Sequence, residues 1–349
     1  MTFEFTSEIN RIVDVIQIKI DVPFDVKYVY VYLFKIGEKY ILFDAGLNMG
    51  NWAKQFFNAL DRVKILPENI SHCFISHNHL DHIGLIRKIR RKNKKIKIVM
   101  HEITDETMRW ETNPDNLTKL RKEVKNLARK SIEYGISEEQ GKKLIKYFLT
   151  WPKMKRYRKP DILVSDGDTI TVENEELEII WTPGHSLGHI CVYEKNRSYL
   201  FSGDHILSRI TPHIGNFIIS PSIREKYNTF DFENILHLYL SSLDRISSLK
   251  PKIIFPAHQE VIKKPQKRIL EIKEHHNQRL KEILNLIKDK PMAPYEISKI
   301  HFGELDDVNS FLALSEVLGH LIFLERQNIV SKQKINGKIL FKAEKEIFD

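Results

Sequence analysis

The sequence predicts an α/β protein with a helical insertion and a small additional domain near its C-terminal end. Three observations lead there. Strand-length stretches, apolar or alternating, recur from residue 12 to residue 255 and are interleaved with stretches of helical spacing. Four of those strands run into loops that carry His or Asp. Beyond residue 265 the pattern changes to three helical stretches and a hairpin signal.

Each element has its own signal. Residues 12–20 alternate and read as a strand. Residues 26–34 and 39–43 read as a hairpin joined by Ile36-Gly37-Glu38, ending in the turn Phe43-Asp44-Ala45-Gly46. Residues 51–63 put Trp52, Phe56, Phe57 and Leu60 on one helical side. His72-Cys73-Phe74-Ile75 is a short apolar strand, 83–91 a helix and 96–100 a strand. From 105 to 159 the strand signal disappears, and two amphipathic stretches, 116–134 and 137–148, read as a helical insertion or lid. Strands return at 161–164, 169–172, 177–181, 190–193 and 199–201, followed by a helix at 230–248 and a strand at 252–255. The last part predicts helices at 275–288, 295–301 and 311–327 and a hairpin over 329–341 around Asn336-Gly337. Three helices and a hairpin is the winged-helix order. The expected domains are a larger unit over 1–264, containing the insertion over 105–159, and a winged-helix-like unit over 265–349.

Composition sets bounds. The 349 residues suffice for a large core, and 42% hydrophobic with 29% charged residues is an ordinary globular balance. No apolar run approaches the roughly 20 residues of a membrane helix. Residues 1–5 lack the basic and apolar regions of a leader peptide. Cys73 and Cys191 both lie in apolar runs, form no CxxC pair and read as buried free thiols. A cytoplasmic protein without a membrane partner is the expectation. The net charge of +9 allows an anionic substrate or nucleic acid and requires neither.

The chemistry concentrates in Ser76-His77-Asn78-His79-Leu80-Asp81-His82, which lies between a strand and a helix. Three His and one Asp within six positions offer neutral imidazole and carboxylate, the ligands that suit zinc and similar cations. Four ligands in one loop do not complete a site. Three more signals follow strands: Thr182-Pro183-Gly184-His185-Ser186-Leu187-Gly188-His189, Ser202-Gly203-Asp204-His205, and Pro256-Ala257-His258. A β-core that presents ligands along one edge would write this pattern.

These residues resemble the metallo-β-lactamase superfamily over roughly residues 12–262. The first loop has the full HxHxDH pattern, and the TPGH, SGD and PAH signals follow in the family's order. The resemblance implies an αββα sandwich of two mixed sheets, and makes the larger unit a catalytic domain. It implies two metal ions, most often zinc, with iron or manganese as substitutes. On this chain His77, His79 and His185 would hold the first ion and Asp81, His82 and His258 the second, with Asp204 between them. Asp81 would also accept a hydrogen bond from the nucleophilic hydroxide, generated from a water bound between the two cations. Asp44 is expected to hydrogen-bond a ligand imidazole, and His189 to support the site rather than ligate.

The resemblance also narrows the reaction. The flavodiiron branch carries a carboxylate where this chain has His79, which favours hydrolysis over redox chemistry. The glycine-rich arm and the long His- and acid-bearing insertion of the RNA-cleaving branches are missing. Ser208-Arg209-Ile210-Thr211-Pro212-His213 and the tail resemble a subgroup of hydrolases for which hydroxyacylglutathione hydrolases and acyl thioesterases are the best-understood comparison. The expected substrate is a carbonyl ester, a thioester or related small acyl compound, with an anionic end. Trp151, Arg156, Arg209 and His213 are the expected substrate contacts. The rival reading is a metal-dependent nuclease or phosphodiesterase whose winged helix docks nucleic acid. Two features weigh against it. Residues 261–349 hold 16 Lys and Arg against 13 Asp and Glu, little charge for a duplex-binding module. The basic run from Arg87 to Lys97 lacks interleaved aromatics. The tail is expected to pack, to form a homodimer or to line a substrate pocket.

Overall fold

The computed structural model describes residues 8–23, 26–215 and 218–344. Residues 1–5, on which the expectation about a leader peptide rests, lie outside them. The chain divides into two compact units. The first runs to Arg109, resumes over Lys155–Pro212 and ends with Arg245–Arg268; the second takes Trp110–Met154, His213–Asp244 and the chain from Ile269. Residues of the expected insertion and of the expected C-terminal domain therefore share one unit, together with 213–244.

The first unit holds two sheets. β1 (Ile9–Ile12), β2 (Val15–Asp21), β3 (Tyr28–Ile36), β4 (Lys39–Phe43), β5 (Ile70–Ile75), β6 (Lys97–His101) and β7 (Ile162–Val164) follow one another across a seven-stranded sheet. β8 (Thr169–Val172), β9 (Glu175–Trp181), β10 (Ile190–Glu194), β11 (Tyr199–Gly203) and β12 (Ile253–Pro256) make a five-stranded sheet, again in chain order. The strand expected at 12–20 is broken because Val13 turns left-handed, at φ 52°, and folds β1 back on β2. The two sheets face each other across one core. Phe34 of the larger sheet stacks on Phe201 of the smaller at 4.5 Å, and Phe201 stacks on Phe255 at 5.1 Å. Val15, Ile41, Phe43, Phe74 and Val99 complete the layer from one side, Leu177, Ile179, Ile190 and Val192 from the other. Alternation along each strand sends these side chains inward.

Helices flank this sandwich. α1 (Trp52–Arg62) buries Trp52, Phe56, Ala59 and Leu60. α2 (Leu80–Ile83) and α3 (Ile86–Lys92) occupy the stretch where one helix was expected, so helix begins inside the histidine motif. α4 (Glu102–Thr112) was not expected, although Ile103, Met108 and Trp110 are buried on it. α5 (Leu117–Glu133) and α6 (Glu138–Thr150) form a helical hairpin, and Ser137 and Gln140 close a capping box on α6. α7 (Pro221–Lys226) was also missed, despite Ser220 as its cap and Pro221 in its first turn. α8 (Ile235–Leu249) begins five residues later than expected. α4 and α8 cross the division between the units, and α5 to α7 belong to the second.

The order of the last elements is helix, helix, helix, hairpin: α9 (Pro265–Leu286), α10 (Pro294–Phe302), α11 (Asp307–Arg326), β13 (Val330–Ile335) and β14 (Lys338–Ala343). α9 starts ten residues before the expected stretch, at a proline that suits a first helical turn. Asn336 and Gly337 turn the hairpin with φ of 49° and 80°, the type I′ geometry expected of Asn-Gly. α11 is, by length and composition alone, long and apolar enough to cross a membrane, contrary to the expectation that no apolar stretch approaches that length. It is the core helix of its unit, with Leu314, Val317 and Leu321 wholly buried. α5 and α6 pack on it through Ala128, Leu144, Phe311 and Leu314.

Phe201 touches aromatic rings of both sheets. Phe201→Ala should lower the unfolding free energy by about 3–5 kcal/mol, as for other buried aromatics. Denaturant unfolding followed by far-UV circular dichroism measures this; a loss below about 1 kcal/mol would mean the inter-sheet core does not depend on that ring.

Candidate metal centre

β4 and β5 are parallel, with Phe43 beside Phe74, so both release their next residues at the same edge of the larger sheet. Asp44 follows β4, and Ser76-His77 follow β5. β11 and β12 are likewise parallel, with Gly203 beside Pro256, and release Asp204 and His258. β9 ends before Thr182 and the loop that carries His185. Where a parallel strand ends, side chains leave the ladder and can turn toward a ligand.

Seven residues converge in two groups. His77, His79, His185 and Asp204 form one, Asp81, His82 and His258 the other, and the donor atoms within each group lie within 4.8 Å of one another. Asp204 joins the groups through its two oxygens. Its Oδ2 lies 3.3 Å from His185 Nε2 and 3.9 Å from His77 Nε2. Its Oδ1 lies 3.3 Å from His258 Nε2 and 3.6 Å from His82 Nε2. Asp81 Oδ2 is 3.5 Å from His258 Nε2 and 3.6 Å from His82 Nε2. His79 offers Nδ1, 3.0 Å from His185 Nε2. Zinc bonds of about 2.0–2.1 Å set tetrahedral ligands about 3.3 Å apart, close to these separations. His77 Nε2, His82 Nε2 and Asp204 Oδ1 are buried without a hydrogen-bond partner among the described residues. Buried polar atoms are seldom left so, and a cation in each group would satisfy all three. The residues present therefore fit metal ions.

The far sides of three of the imidazoles are held. Asp44 Oδ2 lies 2.7 Å from His82 Nδ1. The Ser76 hydroxyl donates to Asp44 Oδ2 at 2.9 Å and accepts from His77 Nδ1 at 2.9 Å. The Ser76 amide donates to Asp44 Oδ1 at 2.8 Å. His258 Nδ1 donates to the Tyr28 carbonyl at 2.6 Å. These contacts put the protons of His77, His82 and His258 on Nδ1 and turn the Nε2 lone pairs toward the centre. Asp44 adopts φ 61°, a left-handed strain of about 1–3 kcal/mol that its hydrogen bonds hold in place. Gly203, at φ 49°, admits no side chain: a Cβ there would lie 2.7 Å from both Ser76 Cβ and His189 Nε2.

Burial drives the titration of His77 and His79 well below the ordinary histidine range, with neighbouring imidazoles adding to it. Burial acts the same way on His82 and His258, but the carboxylates of Asp204 and Asp81, with Asp44 also at His82, outweigh it and raise both. Asp204 is the counterpart. Burial opposes its charge, and His258 and His82 nevertheless hold its carboxyl well below the usual range. A concentration of negative charge that attracts protons at these imidazoles attracts cations as well.

The remaining expected residues are distributed differently. His189 belongs to neither group; its Nδ1 lies 2.7 Å from Thr182 Oγ1 and its Nε2 accepts from the Asp204 amide at 3.1 Å. Arg209 is exposed and ion-paired with Glu260, its Nε 2.9 Å from Glu260 Oε2. Arg156 is exposed, near Arg87. Trp151 stacks on Tyr147 at 5.7 Å and His213 is half-buried, both in the second unit. Sequence reasoning gave three residues no role. Ser76 ties Asp44 to two imidazoles, and only its position next to His77 hinted at that. Lys155 is buried and its charge acts on His79. His205 is wholly buried, and burial brings its titration down to about 3.

Comparison with known proteins agrees with this architecture. The family model described as Metallo-beta-lactamase superfamily matches residues 24–258. A probable metallo-hydrolase of Bacillus subtilis, YqjP, is 26% identical over 95% of this chain and 98% of its own. The human acyl-coenzyme A thioesterase MBLAC2 is 31% identical over a shorter stretch, 23% of this chain and 36% of its own. Among solved structures, a metallo-beta-lactamase family protein from Thermus thermophilus superposes with a TM-score of 0.73 at 22% identity, covering 95% of this chain and 99% of that one.

Asp44→Asn keeps the shape of the carboxylate and removes the acceptor that fixes His82. Metal affinity should fall about 10- to 100-fold, the usual effect of losing such a partner, while the fold persists. Competition against a fluorescent chelator measures it; unchanged affinity would remove Asp44 from the support of the centre.

Proposed function

The chain belongs to the metallo-beta-lactamase superfamily and is a metal-dependent hydrolase, and we propose that it uses two zinc ions to hydrolyse a carbonyl ester, a thioester or related small acyl compound. The observation that carries this reading is Asp204, whose two oxygens each face a separate set of ligands. His77, His79 and His185 would hold one ion and Asp81, His82 and His258 the other, with Asp204 shared. Two such ions, when bound, would lower the pKa of a water toward neutrality and polarise a carbonyl oxygen. The residues of the chain do the rest. Ser76 and Asp44 fix imidazole orientation. Asp81 accepts a hydrogen bond from the attacking water and aims it.

Charge near the site supports an anionic acyl substrate. Lys155 is buried within electrostatic reach of His79. Arg91, Arg156 and Arg158 stand close enough to Arg87 for their charges to act on it. Such a cluster suits the phosphates or carboxylates of a thiol carrier. The name of the human relative points the same way. Nucleic acid is not proposed as a partner: α11 carries few charges, and one of them, Glu316, is buried.

The zinc-loaded chain should hydrolyse acyl-coenzyme A or acylglutathione thioesters faster than a phosphodiester. A phosphodiester preference would replace this reading with the phosphodiesterase one. Arg156→Ala should raise KM for the coenzyme A ester several-fold and leave a small uncharged thioester nearly unchanged. Equal effects on both would take Arg156 out of substrate recognition.

Asp81→Asn should lower kcat about 100-fold or more, the range for loss of a positioned proton acceptor. Thermal unfolding should move far less than for a core substitution. Retained turnover together with a large drop in stability would reverse the role given to Asp81.

A further inference from the structure

The second unit contains a buried cluster that the hydrolase reading does not use. His276 stands on α9; Glu316 and His320 stand four residues apart on α11, so both face the same side of that helix. His276 and His320 are wholly buried and Glu316 nearly so, at 8% exposure. One donor atom from each lies within 4.8 Å of the other two. We propose that His276, Glu316 and His320 bind a zinc ion that ties α9 to α11, a site separate from the hydrolytic centre.

Geometry supports the donor set. His276 Nδ1 is 3.1 Å from His320 Nε2, near the spacing of about 3.3 Å for two nitrogens on one tetrahedral zinc. The rings lie 5.2 Å apart and nearly parallel. His320 Nδ1 lies 2.8 Å from the Glu316 carbonyl and donates to it, which leaves the Nε2 lone pair facing His276. That contact is the usual outer support of a ligating histidine. Without an ion, His276 Nδ1 donates to the His320 Nε2 lone pair; zinc would displace this proton, and the ring would then carry its proton on Nε2, which is buried without a hydrogen-bond partner among the described residues.

The chemistry selects the ion. Imidazole ligates zinc in its neutral form. Two imidazoles and one carboxylate is a known zinc set with a fourth position open to water. Arg279 Nη1 lies 3.7 Å from Glu316 Oε1, so the ion shares this carboxylate with a guanidinium. Calcium and magnesium, which depend on several oxygen ligands, would be served poorly. Zinc is bound mainly through nitrogen and tolerates the sharing.

The test uses the full chain, saturated with zinc, desalted and analysed for metal. A variant with His77→Ala, Asp204→Ala and His258→Ala removes the hydrolytic centre. It should still hold one zinc per chain, and adding His320→Gln should remove that ion and lower the thermal midpoint measured in zinc. If His320→Gln does not fold, His276→Gln makes the same comparison from α9. Absence of zinc from the triple variant, or equal zinc with and without His320→Gln, overturns the proposal. The hydrolase reading is judged separately, by the two ions that the triple variant should lose relative to the unaltered chain.

Discussion

A carboxylate buried among histidines organises the first unit. Asp204 is 6% exposed, and an isolated charge at that depth would be prohibitively costly. It is stable there because imidazoles from three separate loops surround it. Those loops must therefore arrive at one point, and the pairing of parallel strands makes them do so. The left-handed turn at Asp44 and the missing side chain at Gly203 answer the same demand, since each lets backbone pass close behind a ligand.

The demand extends outward by one further layer of contacts. Ser76 accepts from one imidazole and donates to the carboxylate that orients another. Removal of a single member would leave the others buried and unsatisfied, so the network acts as a unit. The aromatic layer behind it, with Phe201 between Phe34 and Phe255, keeps the two sheets in register. The strand that positions Asp204 thus also carries the central ring of the core.

The second unit follows a different logic. Its core is a long apolar helix, α11, covered by α5 and α6 and joined to the hairpin. Lys143 pairs with Asp307 at 2.9 Å and Lys334 with Glu133 at 2.9 Å, linking distant stretches of chain. Exposed pairs of this kind contribute little energy. They do show that residues 110–154 are a constituent of this unit's structure rather than a loose excursion from the other.

The sequence by itself determined whatever depends on neighbours in the chain. The HxHxDH loop, the Asn336-Gly337 turn and the alternating strands each declare themselves within a few residues. Loops after strands carrying His185, Asp204 and His258 were legible because a strand end is a local signal. Helix starts at Pro221 and Pro265 went unread, though the proline that favours a first turn stood there. Other features depend on which segments meet, and no local pattern holds that information. Which oxygen of Asp204 faces which histidine, the place of Ser76 behind two ligands and the burial of Lys155 are of this kind. The meeting of His276 with Glu316 and His320 is another: the pair on α11 has visible helical spacing, but its partner lies 44 residues away and is brought in only by helix packing.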